Sequence, residues 1–192
     1  MVACQAVSKQ PETATALYLR DVTARFRQTK DLADRALAQV REEDLTAVLD
    51  PESNSLATIA RHLAGSLRSR WTDFLTTDGE KPDRDRDREF EGAETARGDL
   101  LADWEDGWSR LFATLETLGG DDLTRTVTIR AEPHTVIGAI GRSLTHCAYH
   151  VGQIVFLAKH LSSRSWQTLS VPRGGTRAFN QKMFGGETSE GQ

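Results

Sequence analysis

Two cysteines in 192 residues are too few for a disulfide framework, and their settings differ. Cys4 lies close to the N-terminus, whereas Cys147 falls on an apolar helical stripe where a packing role is expected. Long apolar runs are also missing. No stretch approaches the ~18 apolar residues of a membrane span, and MVACQAVSKQPETATALYLRD at the N-terminus has no apolar core behind a basic start. Nor is there an excess of positive charge: 24 Lys and Arg stand against 28 Asp and Glu, for a net charge of -4. The two signs alternate, so no basic surface for nucleic acid is expected. H-E-x-x-H, G-x-S-x-G and G-x-x-x-x-G-K-[ST] do not occur in the chain, which sets aside zinc-protease, α/β-hydrolase and P-loop chemistry. From these absences a mildly acidic, cytoplasmic protein with neither membrane nor nucleic-acid partner is expected.

At 38% hydrophobic and 27% charged, the chain suits one domain over residues 1–192 with a real core. Apolar periodicity predicts an all-α fold with helices over about 13–40, 55–76, 95–118 and 134–161, followed by an extended tail over 162–192 packed on them. Asp50-Pro51 breaks the chain after the first helix, and Ser53-Asn54-Ser55 supplies capping groups for the second. Trp104 and Trp108, one turn apart in the third, read as core or interface packing. Before the fourth, LTRTVTIRAEP has brief period-two character, consistent with a short strand or extended connector. In the tail, Trp166, Leu169, Val171 and Phe179 are the candidate anchors, and the last residues are expected to be disordered. The connection GEKPDRDRDREFEG reads first as a solvated link; a polar lid or a subunit contact is the functional alternative.

The stretch SLTHCAYHVGQIVFLAKHL, residues 143–161, carries the strongest chemical signal. His146 and His150 are four residues apart on a helix, so both imidazoles leave one face one turn apart. They lie on the shoulder of the stripe Ile140, Leu144, Cys147, Val151, Ile154, Ala158 and Leu161, together with Gln153 and Leu157. His62 stands on the same kind of shoulder in the second helix and is the best third ligand. Three histidines can hold a catalytic zinc ion with a fourth position open, where the ion lowers the pKa of a bound water or thiol. With five histidines in the chain the spacing is only moderately specific, and histidines satisfied by hydrogen bonds in the core remain the alternative. His134, at the entry to the last helix, is assigned a capping or surface role, and His160, near its end, a role at the helix dipole. Asp73, placed on the second helix beyond His62, is a weaker candidate base or supporting carboxylate.

Three blocks, IARHLAGSLRSRWTDFLTTDGEKP, LTHCAYHVGQIVFLAKHL and LSVPRGGTRAFN, in this order resemble the DinB-like (damage-inducible) superfamily, and within it a subfamily of unknown function. The resemblance implies a four-helix bundle whose metal site takes one histidine from the second helix and an H-x-x-x-H pair from the fourth. His62, His146 and His150 match these positions, and the implied cofactor is a divalent ion, zinc or nickel. Characterised relatives include thiol-dependent S-transferases and isomerases that use low-molecular-weight thiols such as bacillithiol or mycothiol. The resemblance therefore implies a metal-dependent enzyme that brings a thiol or water to a small electrophile, and a homodimer, which Trp71, Trp104 and Trp108 would support if they face outward. The alternative is a non-catalytic, stress-associated binding protein in which the metal only staples two helices.

Overall fold

The computed structural model describes residues 12–91 and 96–185. Among them the order is α1 (Ala14–Leu37), α2 (Leu56–Trp71), α3 (Arg86–Phe90), α4 (Arg97–Thr117), β1 (Thr126–Ile129), β2 (Glu132–Thr135), α5 (Val136–Ser162) and α6 (Thr176–Phe184). The protein is mostly helical, with one small two-stranded ribbon. No described helix is long and apolar enough to cross a membrane.

Each long helix that bears on the site starts where a side chain can satisfy a free backbone N–H. Thr13 Oγ1 accepts from Ala16 at α1, Ser55 Oγ from Thr58 at α2, and Thr135 Oγ1 from Gly138 at α5. α2 lies at the centre, against both α4 and α5, while α1 crosses α5 and touches α4. Its burial is nearly complete, and it takes polar groups into the interior: Thr58, His62, Ser66, Ser69 and Arg70. The approach of α4 depends on Gly107, because a Cβ there would stand 2.8 Å from the Ala64 carbonyl oxygen on α2. Phe26 of α1 sets its ring edge-on to Trp71 at 6.3 Å and to Trp108 at 6.4 Å. Trp71, Trp104 and Trp108 are all buried within this chain, so they are core residues and present no outward face to a partner.

Several boundaries differ from the sequence expectation. α2 stops at Trp71 rather than near 76, and Asp73 takes a left-handed backbone with φ 47°; it is exposed and no longer on the helix of His62. The last long helix begins at Val136 because residues 132–135 pair antiparallel with 126–129, with Pro133 opposite Thr128. Arg130 and Ala131 turn this ribbon with φ 56° and 60°. Their N–H groups both donate to the Asp78 carboxylate at 2.8 Å, which offsets the strain of two left-handed non-glycine residues.

The C-terminal segment is not simply extended. Gln39 exchanges hydrogen bonds with the Gln167 backbone, and Trp166 and Leu169 pack on the core, as expected of anchors. α6 then forms over 176–184 with no buried residue, and Phe179 is exposed rather than anchored. The expected disorder of the last residues, and the setting of Cys4, concern positions outside the described residues.

Candidate metal centre

Three histidines from two helices converge. His62 comes from α2, His146 and His150 from adjacent turns of α5, and their candidate ligand atoms all lie within 4.8 Å of one another. His62 Nε2 is 3.4 Å from His146 Nε2, and His150 Nε2 is 3.1 Å from it. Nitrogens bound tetrahedrally at ~2.0–2.1 Å from one ion stand roughly 3.3 Å apart, so these separations fit a shared cation.

The protons argue the same way. His62 Nδ1 is 2.9 Å from Glu89 Oε2, and a carboxylate can only accept, so Nδ1 carries the hydrogen and Nε2 a bare lone pair. His150 Nδ1 is 2.8 Å from Gln153 Oε1. The Gln153 amide nitrogen faces Tyr149 Oη at 3.4 Å, which leaves Oε1 to accept from His150 and frees His150 Nε2 likewise. A hydrogen on His146 Nε2 satisfies at most one of two lone pairs. A cation satisfies all three nitrogens.

Electrostatics disfavour protonation of the two histidines on α5. Burial, then His150, His62, Arg70 and Arg84, push His146 down to about 3. His150 is lowered by burial against the opposing hydrogen bond to Gln153. Burial alone would raise Glu89, but the His62 hydrogen bond and the Arg84 guanidinium outweigh it and hold Glu89 below the ordinary carboxylate range. Arg84 grips Glu89 with two hydrogen bonds of 2.8 Å, from Nε to Oε1 and from Nη2 to Oε2. This buried fork is possible because residue 65 is glycine: a Cβ there would lie 2.2 Å from Glu89 Oε1. Phe90, next to Glu89, packs its ring at a 40° tilt against His62 with centroids 4.7 Å apart, and Tyr149 sets an edge against His150 at 4.9 Å.

The segment that reads as a solvated link therefore supplies the anionic support of His62. Neither Glu89 nor Arg84 carries a usable sequence signal, because the carboxylate is 27 residues from its histidine inside a run of similar charges. Gln153 was visible on the histidine face, at the i+3 position from His150. The remaining candidates stand apart from the centre. His134 lies on β2, 3.4 Å from Arg142 Nη1, and His160 is exposed near the end of α5. Cys147 is fully buried, and burial pushes its thiol up to about 12, which suits packing and excludes a nucleophile. A cleft of about 860 Å³ between α2, α4 and residues 72–91 has Gly65, Arg84 and Glu89 in its wall but none of the three histidines.

A family of proteins of unknown function (DUF1572) matches residues 13–175. The chain belongs to that family. The match takes in the three histidines together with Glu89, Arg84 and Gln153, and stops before α6. No curated protein matches the chain.

Proposed function

We propose that this DUF1572 protein is a metal-dependent enzyme of the DinB-like superfamily, a four-helix bundle in which His62, His146 and His150 hold one divalent ion, zinc or nickel. A bound ion supplies positive charge that lowers the pKa of a thiol or water brought to it. The reaction class is transfer of a low-molecular-weight thiol to a small electrophile, or hydrolysis of one. The observation that carries this reading is the convergence of three Nε2 atoms, two of them made bare by Glu89 and Gln153. Only three members make up the group among the described residues, and three protein ligands are typical of a catalytic ion with a position left for a reactant. Glu89 and Gln153 orient the imidazoles and raise their basicity, while Phe90 and Tyr149 pack against two of the rings. A homodimer, also part of this proposal, would have to form through surfaces other than the tryptophans.

The second reading, a metal-stapled binding protein, is favoured by the absence of any histidine from the wall of the 860 Å³ cleft. The first experiment is elemental analysis of tag-free protein. About one ion per chain is expected in the wild type and none in His146→Ala. A screen of thiol-transfer and hydrolytic reactions then separates the two readings. Turnover lost in His150→Ala together with the metal supports the enzyme; turnover retained by a metal-free His150→Ala protein overturns it. Metal that raises the melting temperature, with no turnover of any electrophile, leaves the staple.

A further inference from the structure

Arg70 is buried to 8% exposure, yet its charge is poorly answered. Arg84, whose side chain is also largely enclosed, is instead forked onto Glu89. The Nε of Arg70 is enclosed with no hydrogen-bond partner. Arg142 from α5, Arg84 from the connecting segment and Arg130 from the ribbon repel its charge, and the carboxylate of Glu80 attracts it. That carboxylate is already engaged by Arg84 at 3.2 Å and Arg130 at 3.3 Å. Glu132 approaches Arg142 only to 3.9 Å and is largely exposed. Arg84 and Arg130 thus share Glu80, and among the described residues no carboxylate forms a salt bridge with Arg70, an arrangement that is costly unless something anionic joins it.

The position of this excess charge matters. His62, Ser66 and Arg70 recur at four-residue intervals on one face of α2, as do Arg142, His146 and His150 on α5. Trp71 Nε1 donates to Ser143 Oγ at 3.2 Å, which fixes the register of the two helices. Arg70 therefore stands level with Arg142, about two helical turns along the seam from the level of His62. A divalent ion on three neutral histidines would add to the positive charge.

We propose that Arg70 and Arg142 form an oxyanion subsite at one end of the α2–α5 seam, holding a carboxylate or phosphate group of a small anionic substrate whose reacting end reaches the three histidines. The inference deepens the metal-centre reading and rests on it for the reaction, although not for the anion. Planar guanidinium groups suit both kinds of oxyanion.

The test is titration of the full-length chain, metal-free and zinc-loaded, with sulfate and with acetate at an ionic strength held constant with chloride, followed by calorimetry and melting temperature. Saturable binding that raises the melting temperature is expected in both forms. Preference for sulfate identifies a phosphate-like group and preference for acetate a carboxylate. Arg142→Gln, at a side chain 45% exposed, is expected to weaken binding at least tenfold while zinc stoichiometry stays at the wild-type value. Arg70→Met is expected to lose anion binding and, without anion, to melt no lower than the wild type, since it removes a charge without a direct partner. Should Arg70→Met fail to fold, Arg142→Gln decides. No saturable binding of either anion, or unchanged affinity in Arg142→Gln, overturns the subsite. Failure of the metal centre shows separately, as absence of bound zinc in the wild type.

Discussion

Residues 79–91 and 170–185 resemble each other as sequence. Both follow a long helix, both are rich in glycine or charge, and neither carries an extended apolar stripe. Their structures diverge. The first ends in α3, which delivers a buried carboxylate to His62 and an aromatic ring against it; the second ends in α6, which buries nothing. What separates them is whether an interior group is waiting for a partner. α2 presents a buried imidazole with a free Nδ1 and, one turn on, a glycine that leaves room for a side chain. A charged segment passing over that surface is drawn into it, because an anion there is paired on two sides. Among the described residues, α6 buries no side chain of its own.

The sharpest way to break this comparison is Glu89→Ala. It removes the acceptor of His62 Nδ1 and leaves Arg84, of which only 7% is exposed, paired with Glu80 alone. Removing one partner of a buried pair costs ~3–5 kcal/mol, and loss of a carboxylate behind a metal-binding histidine weakens metal affinity ~10–100-fold. Zinc titration and thermal melting should show both effects. A variant that melts and binds zinc like the wild type would return the segment to the status of a solvated link.

Gly65→Ala tests the same wiring with every charge retained. Its Cβ would stand 2.2 Å from Glu89 Oε1, so the carboxylate must retreat from His62 or the helix must shift. Overpacking of this kind costs ~1–3 kcal/mol. Metal affinity should fall in the same direction as in Glu89→Ala, by a smaller factor, when measured by competition with a chromophoric chelator.

The histidine trio was legible because its signal is local to two helices. Periodicity places His146 and His150 on one shoulder of α5 and His62 on the matching shoulder of α2, and helices with such faces pack face to face. The four long helices were legible for the same reason, since caps and apolar stripes lie within the elements themselves. Features that depend on distant partners were not legible. Glu89 is identified only by what lies across from it, and the end of α2 at Trp71 only by the left-handed turn at Asp73. β2 was hidden because the helical reading begins at 134, whereas the ribbon with β1 places residues 132–135 in a strand. Arg70 looks like any helical arginine until the interior around it is seen.

Asp78 extends the comparison to the other end of the 79–91 segment. Its carboxylate accepts from the backbone of Glu80, Ala131 and Arg130, bonds that hold it down at about 2, below its ordinary 3.8. Because the folded-state value is the lower one, the unfolded chain binds more protons between these values. The stabilisation is complete above about pH 4 and is lost as the pH falls through about 2. Asp78→Ala should cost ~1–3 kcal/mol through the two left-handed residues it releases, and should flatten the acid limb of a stability–pH profile recorded by circular dichroism. Metal binding at neutral pH should be nearly unaffected, since Asp78 holds the ribbon turn and touches none of the histidines.

The smallest effect belongs to α6. Phe179 and Phe184 are 46% and 80% exposed, and neither belongs to the buried core or to the side chains packed against it. Truncating either to alanine removes little buried area and improves helix propensity. The expected change lies within ~0.5 kcal/mol, under ~2 °C in melting temperature for a domain of this size. Zinc affinity should be unchanged. A drop of several degrees that deepens with protein concentration would mean that α6 is covered by a second copy in solution. The two segments would then obey one rule, each ordered by a partner, within the chain for residues 79–91 and between chains for α6.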